Sequence, residues 1–292
     1  MKTDVKVENI MSAPVYVISS KESLSRARNL MLRYKVGRLV VVEDDVAVGV
    51  ITRTDIAKAL LQPEPMWRRR PVDNMLVKHA MSKRFIKVHP KTTIEEATIL
   101  MVENNITGVP VVDGNNILGI VTLTDIVKYV STLDIPVLVR DVMEDFVPTV
   151  NRHQSISRVV EKFETEGIDR VVVLEDNGHP VGIITKSNVA LAELNELLKD
   201  ISQGKEIKMV RKDSYGGQKK YRYIKEMSLT AEDIMRESLI TVRDNEKVSE
   251  AAKLMIQERI RGLPVVNEKD ELCGLLTEEN IASTLLRRGE ND

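Results

Sequence analysis

The chain has 292 residues, of which 42% are hydrophobic, and its 43 lysines and arginines are balanced by 44 aspartates and glutamates. This composition predicts a globular protein long enough for about two domains, and the balanced charge excludes an argument from net charge for nucleic acid or membrane binding. The single cysteine, Cys273, excludes an intramolecular disulfide and favours a reducing compartment. Since the first residues lack a signal-peptide core and no run approaches a spanning helix, we expect a cytoplasmic protein.

The first predicted elements follow the dipeptide Ile10-Met11. Residues 15–18 are rich in strand-forming side chains. Apolar residues at Leu24, Ala27 and Met31 have the spacing of an amphipathic helix. Two short apolar runs, residues 39–42 and 46–51, flank an acidic turn and predict a hairpin. A second helix is predicted just beyond Thr52.

The same order of elements recurs three more times. First strands are predicted at residues 85–88, 147–150 and 239–242, and hairpin turns near residues 113–116, 175–178 and 267–270. Thr93 and Glu96 have the spacing of a capping box at a helix start. Each unit is therefore strand, helix, strand, strand, helix, which predicts an α/β (α+β) fold built from four repeats.

Each repeat carries two signatures at a nearly constant distance. The first is a methionine at position 11, 81, 143 or 235, and the second is Gly-x-x-Thr-x-x-Asp/Asn, whose glycine follows 38 or 39 residues later. Four copies in register indicate one supersecondary unit used repeatedly. The residues of the second signature are Gly49, Thr52 and Asp55; Gly119, Thr122 and Asp125; Gly182, Thr185 and Asn188; and Gly274, Thr277 and Asn280.

The second signature has the chemistry of a nucleotide cradle. Gly49 lacks a Cβ and allows a close approach of backbone and ligand. The Thr52 hydroxyl would lie where a strand turns into a helix, beside unpaired N–H groups and the positive end of the helix dipole, which favours phosphate. Asp55 lies one turn further on the same face, where its carboxylate can accept hydrogen bonds from both ribose hydroxyls.

The repeats closely resemble the CBS (cystathionine beta-synthase) domain, over residues 7–62, 77–131, 139–193 and 231–288, with an insert at 194–229. The resemblance implies that repeats pair around pseudo-two-fold axes, one with two and three with four, and leave clefts for adenosine-containing ligands. It implies a non-enzymatic regulatory protein that senses AMP, ADP, ATP or a related compound and signals to a partner. The four Gly, Thr and Asp/Asn sets would bind the ligand, with the adenine against apolar residues near each methionine and the strand at 109–112.

An alternation along the chain supports this pairing. Aligned on their glycines, the repeats have Arg38, Gly108, Arg170 and Gly262 at one position, and valine or proline in the same alternation two residues later. Duplication of an existing pair would leave this pattern. Arg38 and Arg170 are candidates for a bidentate contact with phosphate, and the alternative is an ordinary surface arginine beside a strand.

The sequence also bears on helix capping, metal binding and catalysis as alternatives to nucleotide binding. A threonine cap with an acidic residue three positions later stabilises a helix without any ligand. Because asparagine offers a diol one neutral acceptor oxygen, we expect the first pair to bind nucleotide more tightly than the second. The four histidines lack metal-ligand spacing, and no catalytic grouping or required cofactor is identified, so we predict no metal site and no enzyme.

A basic insert separates repeats three and four. Residues 204–225 hold eight lysines or arginines, two acids and three of the six tyrosines. This composition suits contact with RNA or the ribosome, and the alternatives are a solvated linker, a docked hairpin, a protein partner or self-association, including a homodimer. A smaller basic patch lies at residues 66–70. The candidate nucleic-acid contacts are Lys205, Lys208, Arg211, Lys212, Lys219, Lys220, Tyr221, Arg222, Tyr223 and Lys225.

Overall fold

The structure is a computed structural model that describes residues 4–60, 75–82, 84–186, 188–189, 229–236 and 239–287. The chain divides into two compact units, Met1–Val147 with Ile240–Asp292, and Pro148–Leu239. These units do not coincide with the two predicted pairs, because most of repeat four packs with repeats one and two in the first unit.

Repeats one and two each contain two main helices around a hairpin. Repeat one consists of a short 3-10 helix at Val7–Asn9, β1 (Val17–Ser19), α1 (Leu24–Arg33), β2 (Arg38–Glu43), β3 (Val46–Thr52) and α2 (Arg53–Leu60). Repeat two consists of α3 (Val77–Ala80), α4 (Ile94–Glu103), β4 (Gly108–Asp113), β5 (Asn116–Thr122) and α5 (Leu123–Val130).

Repeats three and four follow the same plan. Repeat three consists of a 3-10 helix at Val139–Asp141, β6 (Thr149–Asn151), α6 (Ile156–Thr165), β7 (Arg170–Leu174) and β8 (Pro180–Thr185), after which residues 186 and 188–189 are helical. Repeat four consists of α7 (Ala231–Ile234), β9 (Val242–Arg243), α8 (Val248–Glu258), β10 (Gly262–Val266), β11 (Leu272–Thr277) and α9 (Glu278–Arg287).

The first strand of each repeat is shorter than predicted, and the described residues of repeat two form none. In repeat one, β1 runs parallel to β2, and the Val40 N–H donates to the Tyr16 carbonyl. Pro110 occupies the equivalent position in repeat two and has no N–H to donate. The predicted strand at 85–88 is therefore wrong and is reduced to a single bridge between Val88 and Val111. Pro264 stands at the same position in repeat four, where β9 has two residues.

The four hairpin predictions and the predictions of helices α1 and α4 are confirmed. Leu24, Ala27 and Met31 of α1 are buried, as are their equivalents in α4. Thr93 and Glu96 form the predicted capping box, in which the Thr93 Oγ1 accepts from the Glu96 N–H at 3.2 Å. The antiparallel pairs β2 with β3, β4 with β5, β7 with β8 and β10 with β11 form the four hairpins.

The segments that open repeats one and two are exchanged between them. We call residues 5–12, 75–82, 138–144 and 229–236 the lead-in segments of the four repeats. The first bridges to repeat two, from Lys6 to Thr93 and from Ser12 to Ile120. The second bridges back to repeat one, from Leu76 to Ser23. Each repeat is therefore completed by a segment that belongs to the other.

The other two lead-in segments follow the same rule. In the first unit, the lead-in segment of repeat three bridges to repeat four, from Leu138 to Lys247 and from Glu144 to Leu275. In the second unit, the lead-in segment of repeat four bridges to repeat three, from Thr230 to Ser155 and from Arg236 to Ile183. The exchange thus links one with two and three with four, as the sequence predicts.

Within the first unit, helices of repeats two and four pack together. Helix α5 packs against α8 and α9, and α4 packs against α9. The buried residues of these four helices join one hydrophobic core, which includes Met101, Ile126, Ala252 and Leu285. Among the described residues, no helix combines the length and the apolar character needed to cross a membrane.

Candidate nucleotide-binding corners

All four signature corners have the same hydrogen-bonded geometry. At the first corner, Asp55 Oδ2 accepts from the Thr52 N–H at 2.9 Å and from the Thr52 hydroxyl at 2.6 Å, and the Thr52 Oγ1 accepts from the Asp55 N–H at 3.2 Å. The strand ends at the threonine and the helix begins at the next residue, so this arrangement is a capping box. The other three corners, Thr122 with Asp125, Thr185 with Asn188 and Thr277 with Asn280, repeat it.

Some of the N–H groups that were expected to be unpaired beside the threonine have partners in the structure. The first helical N–H of each corner donates to a carbonyl just before the hairpin, as from Arg53 to Gly37 at 3.1 Å and from Leu123 to Thr107 at 3.2 Å. The threonine N–H is taken by the side chain three residues later. The strand therefore continues its pairing into the helix start.

At two corners, the second polar atom of the aspartate or asparagine side chain contacts a lead-in segment. Asp125 Oδ1 accepts from the Ser12 hydroxyl at 2.9 Å, and Asn280 Nδ2 donates to Glu144 Oε1 at 3.4 Å. Ser12 and Glu144 belong to the lead-in segments of the paired repeats. These two corners are therefore each built by two repeats.

The signature glycines make room for the signature methionines. A Cβ on Gly49 would lie 3.1 Å from the Met81 Sδ, and a Cβ on Gly119 would lie 2.6 Å from the Met11 Sδ. Gly182 and Gly274 stand in the same relation to Met235 and Met143. Each glycine thus contacts the methionine of the paired repeat, rather than the methionine of its own repeat.

An apolar cluster lies between the first two repeats, beside their corners. It combines a buried side chain at Val40 with Ala47 and Ile120, each 9% exposed. Three half-buried residues from both repeats pack against it, which are Val15, Phe85 and Ile117. Since both repeats contribute, a flat apolar ring held here would touch each of them. Residues near the methionine signatures and on the strand at 109–112 were expected beside the adenine, whereas Ile117 and Ala47 were not.

Arg38 contacts residues of both repeats of the first pair. Its backbone pairs with Thr52 across the β2–β3 hairpin, and its Nη2 donates to the Thr107 hydroxyl of repeat two at 2.7 Å. A Cβ on Gly108 would lie 2.1 Å from the Arg38 Nη1. In this pair, the arginine of repeat one thus occupies the space beside the glycine of repeat two.

Arg170, at the equivalent position of repeat three, contacts its neighbour. Its Nε and Nη2 donate to the two carboxylate oxygens of Asp169 at 2.8 and 2.9 Å. Although burial acts in the opposite direction, the hydrogen bonds and charge of Arg170 lower the pKa of Asp169. A phosphate contact by Arg170 therefore competes with an existing bidentate ion pair.

Several arginines gather near the first corner in the first unit. Burial and, after it, the charge of Arg261 lower the pKa of Arg38 to about 10, and the same two causes lower the pKa of Arg53. The Arg261 Nη2 lies 3.7 Å from the place of a Cβ on Gly37. A buried carboxylate, Glu278, accepts from the Thr124 hydroxyl at 2.6 Å and lies 3.8 Å from the Arg261 Nε. Sequence reasoning missed Arg53 and Arg261, which no repeated motif marks.

The structure describes some of the other predicted features, and others lie outside its described residues. Cys273 is half-buried, its thiol donates to the Val265 carbonyl at 3.5 Å, and burial raises its pKa. Within the described ranges, no group of three or more histidine, cysteine, aspartate or glutamate residues could hold a metal ion. The basic insert with its candidate contacts, and the patch at residues 66–70, lie outside the described residues.

Comparison with known proteins identifies the family. The chain belongs to the CBS domain family, whose model matches residues 7–62, 77–132, 139–195 and 231–287. The crystal structure of protein MJ1225 from Methanocaldococcus jannaschii, described as a candidate archaeal homologue of γ-AMPK, has a TM-score of 0.77 over 96% of this chain and 99% of that one, at 22% identity. This likeness shows that the two proteins share a fold.

Three relatives are similar to the chain in amino-acid sequence. MJ1225 is 24% identical over 273 residues, which are 70% of this chain and 97% of the relative. The uncharacterized protein MJ1404 of the same organism is 36% identical over 138 residues, 44% of this chain, and the match spans only 33% of its length. An uncharacterized 33.4 kDa protein in the ribosomal RNA operon of Thermofilum pendens is 26% identical over 197 residues, 63% of this chain and 62% of the relative.

Proposed function

We propose that the protein is a non-enzymatic regulator that binds an adenosine nucleotide, AMP, ADP, ATP or a related compound, in the clefts of its paired CBS domains and signals to a partner protein. The observation that carries the proposal is the construction of the second corner by two repeats. Asp125 of repeat two and Ser12 of repeat one meet there at 2.9 Å, beside an apolar cluster to which both repeats contribute.

The chemistry of this corner supports an adenosine ligand. A carboxylate is the natural acceptor for the two hydroxyls of a ribose, and the half-buried Val15, Phe85 and Ile117 offer apolar contacts to a purine ring. The guanidinium of Arg38, held by the Thr107 hydroxyl, supplies a cation for a phosphate.

The same construction supports a regulatory role. A ligand that touches two repeats binds best when they have one particular relative geometry. Such a ligand shifts the equilibrium between geometries by its difference in affinity for them. A partner that recognises one geometry would then respond to the nucleotide concentration.

Thermal unfolding tests the proposal. A nucleotide at 100 times its dissociation constant stabilises the folded state by about 2.7 kcal/mol, which raises the melting temperature of a chain of this size by about 5 °C or more. AMP, ADP, ATP and S-adenosylmethionine would be compared with cytidine and inorganic phosphate, and mass spectrometry of the purified protein would seek a retained adenosine compound. If no adenosine compound shifts the melting temperature at millimolar concentration, the proposal is wrong.

A second candidate is an RNA- or ribosome-associated factor, in which the basic insert makes the main contact and nucleotide sensing is secondary. The observation that favours it is the composition of residues 204–225, eight lysines or arginines against two acids with three interleaved tyrosines. The location of the Thermofilum relative in a ribosomal RNA operon agrees with it.

A further inference from the structure

The residue after each signature methionine is held beside the corner of the paired repeat. At the fourth corner, the Glu144 N–H donates to the Leu275 carbonyl at 2.9 Å, and Leu275 is the residue after the signature glycine. The same hydrogen bond recurs at the other three corners, from Ser82 to Val50 at 3.1 Å, from Ser12 to Ile120 at 2.9 Å and from Arg236 to Ile183 at 3.1 Å. The backbone therefore brings one lead-in residue to each corner.

The second and fourth corners make one side-chain contact with donor and acceptor exchanged. At the second corner, the Ser12 hydroxyl donates to Asp125 Oδ1 at 2.9 Å. At the fourth corner, Asn280 Nδ2 donates to Glu144 Oε1 at 3.4 Å. The carboxylate of the second corner thus belongs to the corner itself, whereas that of the fourth corner comes from the lead-in segment of repeat three.

The helix cap leaves Asn280 no acceptor for a ligand. Its Oδ1 accepts from the Thr277 N–H at 2.8 Å and from the Thr277 hydroxyl at 2.6 Å, which uses both lone pairs of that oxygen. The remaining polar atom is Nδ2, which is a donor only. A diol at this corner therefore needs its acceptor from another residue.

Glu144 is placed to be that acceptor. Its side chain is exposed, and a carboxylate with two oxygens can accept from both hydroxyls of a diol. The hydrogen bond from Asn280, at 3.4 Å, is longer than most N–H···O bonds, so a ligand hydroxyl can replace it at little cost. Asn280 and the bridge to Leu275 hold the carboxylate at the corner.

The third corner differs in just this respect. Asn188 Oδ1 caps its helix in the same way as Asn280, and the lead-in residue beside it is Arg236. A guanidinium has donors and no acceptor. The two corners with an aspartate thus have a serine from the paired repeat, and of the two corners with an asparagine only the fourth has a carboxylate from the paired repeat.

We infer that Glu144 is the ribose-binding carboxylate of the fourth corner, supplied by repeat three to the corner of repeat four. The inference rests on the proposed function and names, for one corner, the residue that recognises the ligand. It distinguishes the two corners of the second pair, because the third corner has no carboxylate at either position and binds a ribose more weakly.

Methyl NMR of the methionines tests the inference on the full chain, one corner at a time. Each signature methionine contacts the glycine of one corner, so Met81, Met11, Met235 and Met143 report on the first, second, third and fourth corners. The chain would be titrated with adenosine and with 2′-deoxyadenosine, which lacks one hydroxyl of the diol. We expect the Met143 signal to respond to adenosine at an about 10-fold lower concentration than to 2′-deoxyadenosine.

Variants separate ribose binding from a structural role of Glu144. Glu144→Gln keeps the shape and removes the charge, so it should raise the adenosine midpoint of the Met143 signal about 10-fold, reduce the preference over 2′-deoxyadenosine and leave the Met11 signal unchanged. Glu144→Ser should have the same effect. Adding Asn280→Asp to Glu144→Ser recreates the arrangement of the second corner and should restore both the midpoint and the preference.

Asp145→Asn is the matched control. It removes the exposed negative charge next to Glu144 and should alter neither quantity, because no contact places Asp145 at the corner among the hydrogen bonds of the described residues.

Each outcome decides. If the Met11 signal responds to adenosine and the Met143 signal does not, or if Glu144→Gln changes neither midpoint nor preference, the inference is wrong while nucleotide binding stands. If Glu144→Gln weakens both nucleosides equally and the exchange with Asn280→Asp rescues neither, Glu144 has a structural role and the inference is again wrong. If none of the four methionine signals responds to adenosine or AMP, the proposed function fails together with the inference.

Discussion

At the scale of single residues, the aspartate or asparagine of each corner has two candidate roles, which are helix capping and ribose binding. Asn188 accepts the Thr185 N–H and hydroxyl at 2.9 and 2.6 Å, the same distances at which Asp55 accepts those of Thr52. An asparagine therefore caps the helix as an aspartate does. The remaining difference is the second oxygen and its charge, which matter to a ribose diol and not to the cap.

This separation gives the first prediction. The double change Asp55→Asn with Asp125→Asn should keep the free energy of unfolding within about 0.5 kcal/mol, because both caps survive, and should weaken nucleotide binding in the first pair by about 10-fold, because charged hydrogen bonds are stronger than neutral ones. Calorimetry and urea unfolding on one sample measure both. The reverse double change, Asn188→Asp with Asn280→Asp, is the matched control and should strengthen the second pair. If the free energy of unfolding falls by more than 1 kcal/mol while the affinity is unchanged, helix capping is the only role of Asp55 and Asp125.

The site was predictable from sequence only where it is local. Thr52 and Asp55 are three residues apart, so their spacing alone places them on one helix turn. Arg38 and Gly108 meet across 70 positions, and no spacing rule connects them. A signal was present in the alternation of arginine and glycine, since a large residue facing an empty position is what a shared space requires. From sequence alone, the alternation indicates duplication of a pair, whereas the structure shows a contact.

At the scale of elements, helices and hairpins followed from the sequence because their contacts are local. The α1 and α4 cores follow an apolar spacing within ten residues. The short first strands depend on hydrogen bonds to a distant strand. In repeat two, Pro110 has no N–H to donate, and this missing hydrogen bond outweighs the strand propensity of residues 85–88. The exchange of lead-in segments was likewise beyond a local rule, although the repeated methionine marked them.

The contact between lead-in segment and hairpin gives a prediction about stability. In Gly119→Ala, the new Cβ would lie 2.6 Å from the Met11 Sδ and 2.9 Å from the Ser12 carbonyl oxygen. The sulfur can move, but the carbonyl accepts from the Ile120 N–H at 3.0 Å and is held in place. We therefore expect the free energy of unfolding to fall by about 1 to 3 kcal/mol.

Gly49→Ala is the matched control for this overpacking. Its Cβ would lie 3.1 Å from the Met81 Sδ and 3.3 Å from the Ser82 carbonyl oxygen, so a shift of a few tenths of an ångström relieves it. Urea unfolding of both variants should show the larger loss for Gly119→Ala. Equal losses, or a larger loss for Gly49→Ala, would contradict the steric account.

At the scale of the whole molecule, the basic insert decides between the two candidate functions. If it binds a phosphate backbone, the affinity for single-stranded RNA or ribosomes should fall as the salt concentration rises. The logarithm of the binding constant should fall with the logarithm of the salt concentration, with a slope of about −0.7 per phosphate neutralised. A variant with serine at Arg211, Lys212, Lys219, Lys220 and Arg222 should flatten that slope and leave nucleotide binding unchanged, because the insert lies outside the sequence of the repeats.

Cosedimentation with ribosomes at low and moderate salt measures this on the wild type and the variant side by side. A matched control replaces five lysines elsewhere on the chain, at Lys21, Lys78, Lys87, Lys91 and Lys128, by serine, and should keep the slope. If the wild type binds neither RNA nor ribosomes at low salt, the RNA-associated function is wrong.

The exchanged lead-in segments also constrain how the chain can be made. Ser12 leaves the ribosome 113 residues before its partner Asp125 does, which at about 5 to 20 residues per second is a wait of roughly 6 to 23 s. Glu144 precedes its partner Asn280 by 136 residues and waits longer still. The lead-in segments of repeats two and four emerge after the repeats they complete and can dock at once. Synthesis therefore passes twice through a stage in which a finished repeat holds its neighbour's segment while its own waits unpaired, and a ribosome stalled there would release a chain open to pairing with another copy of itself.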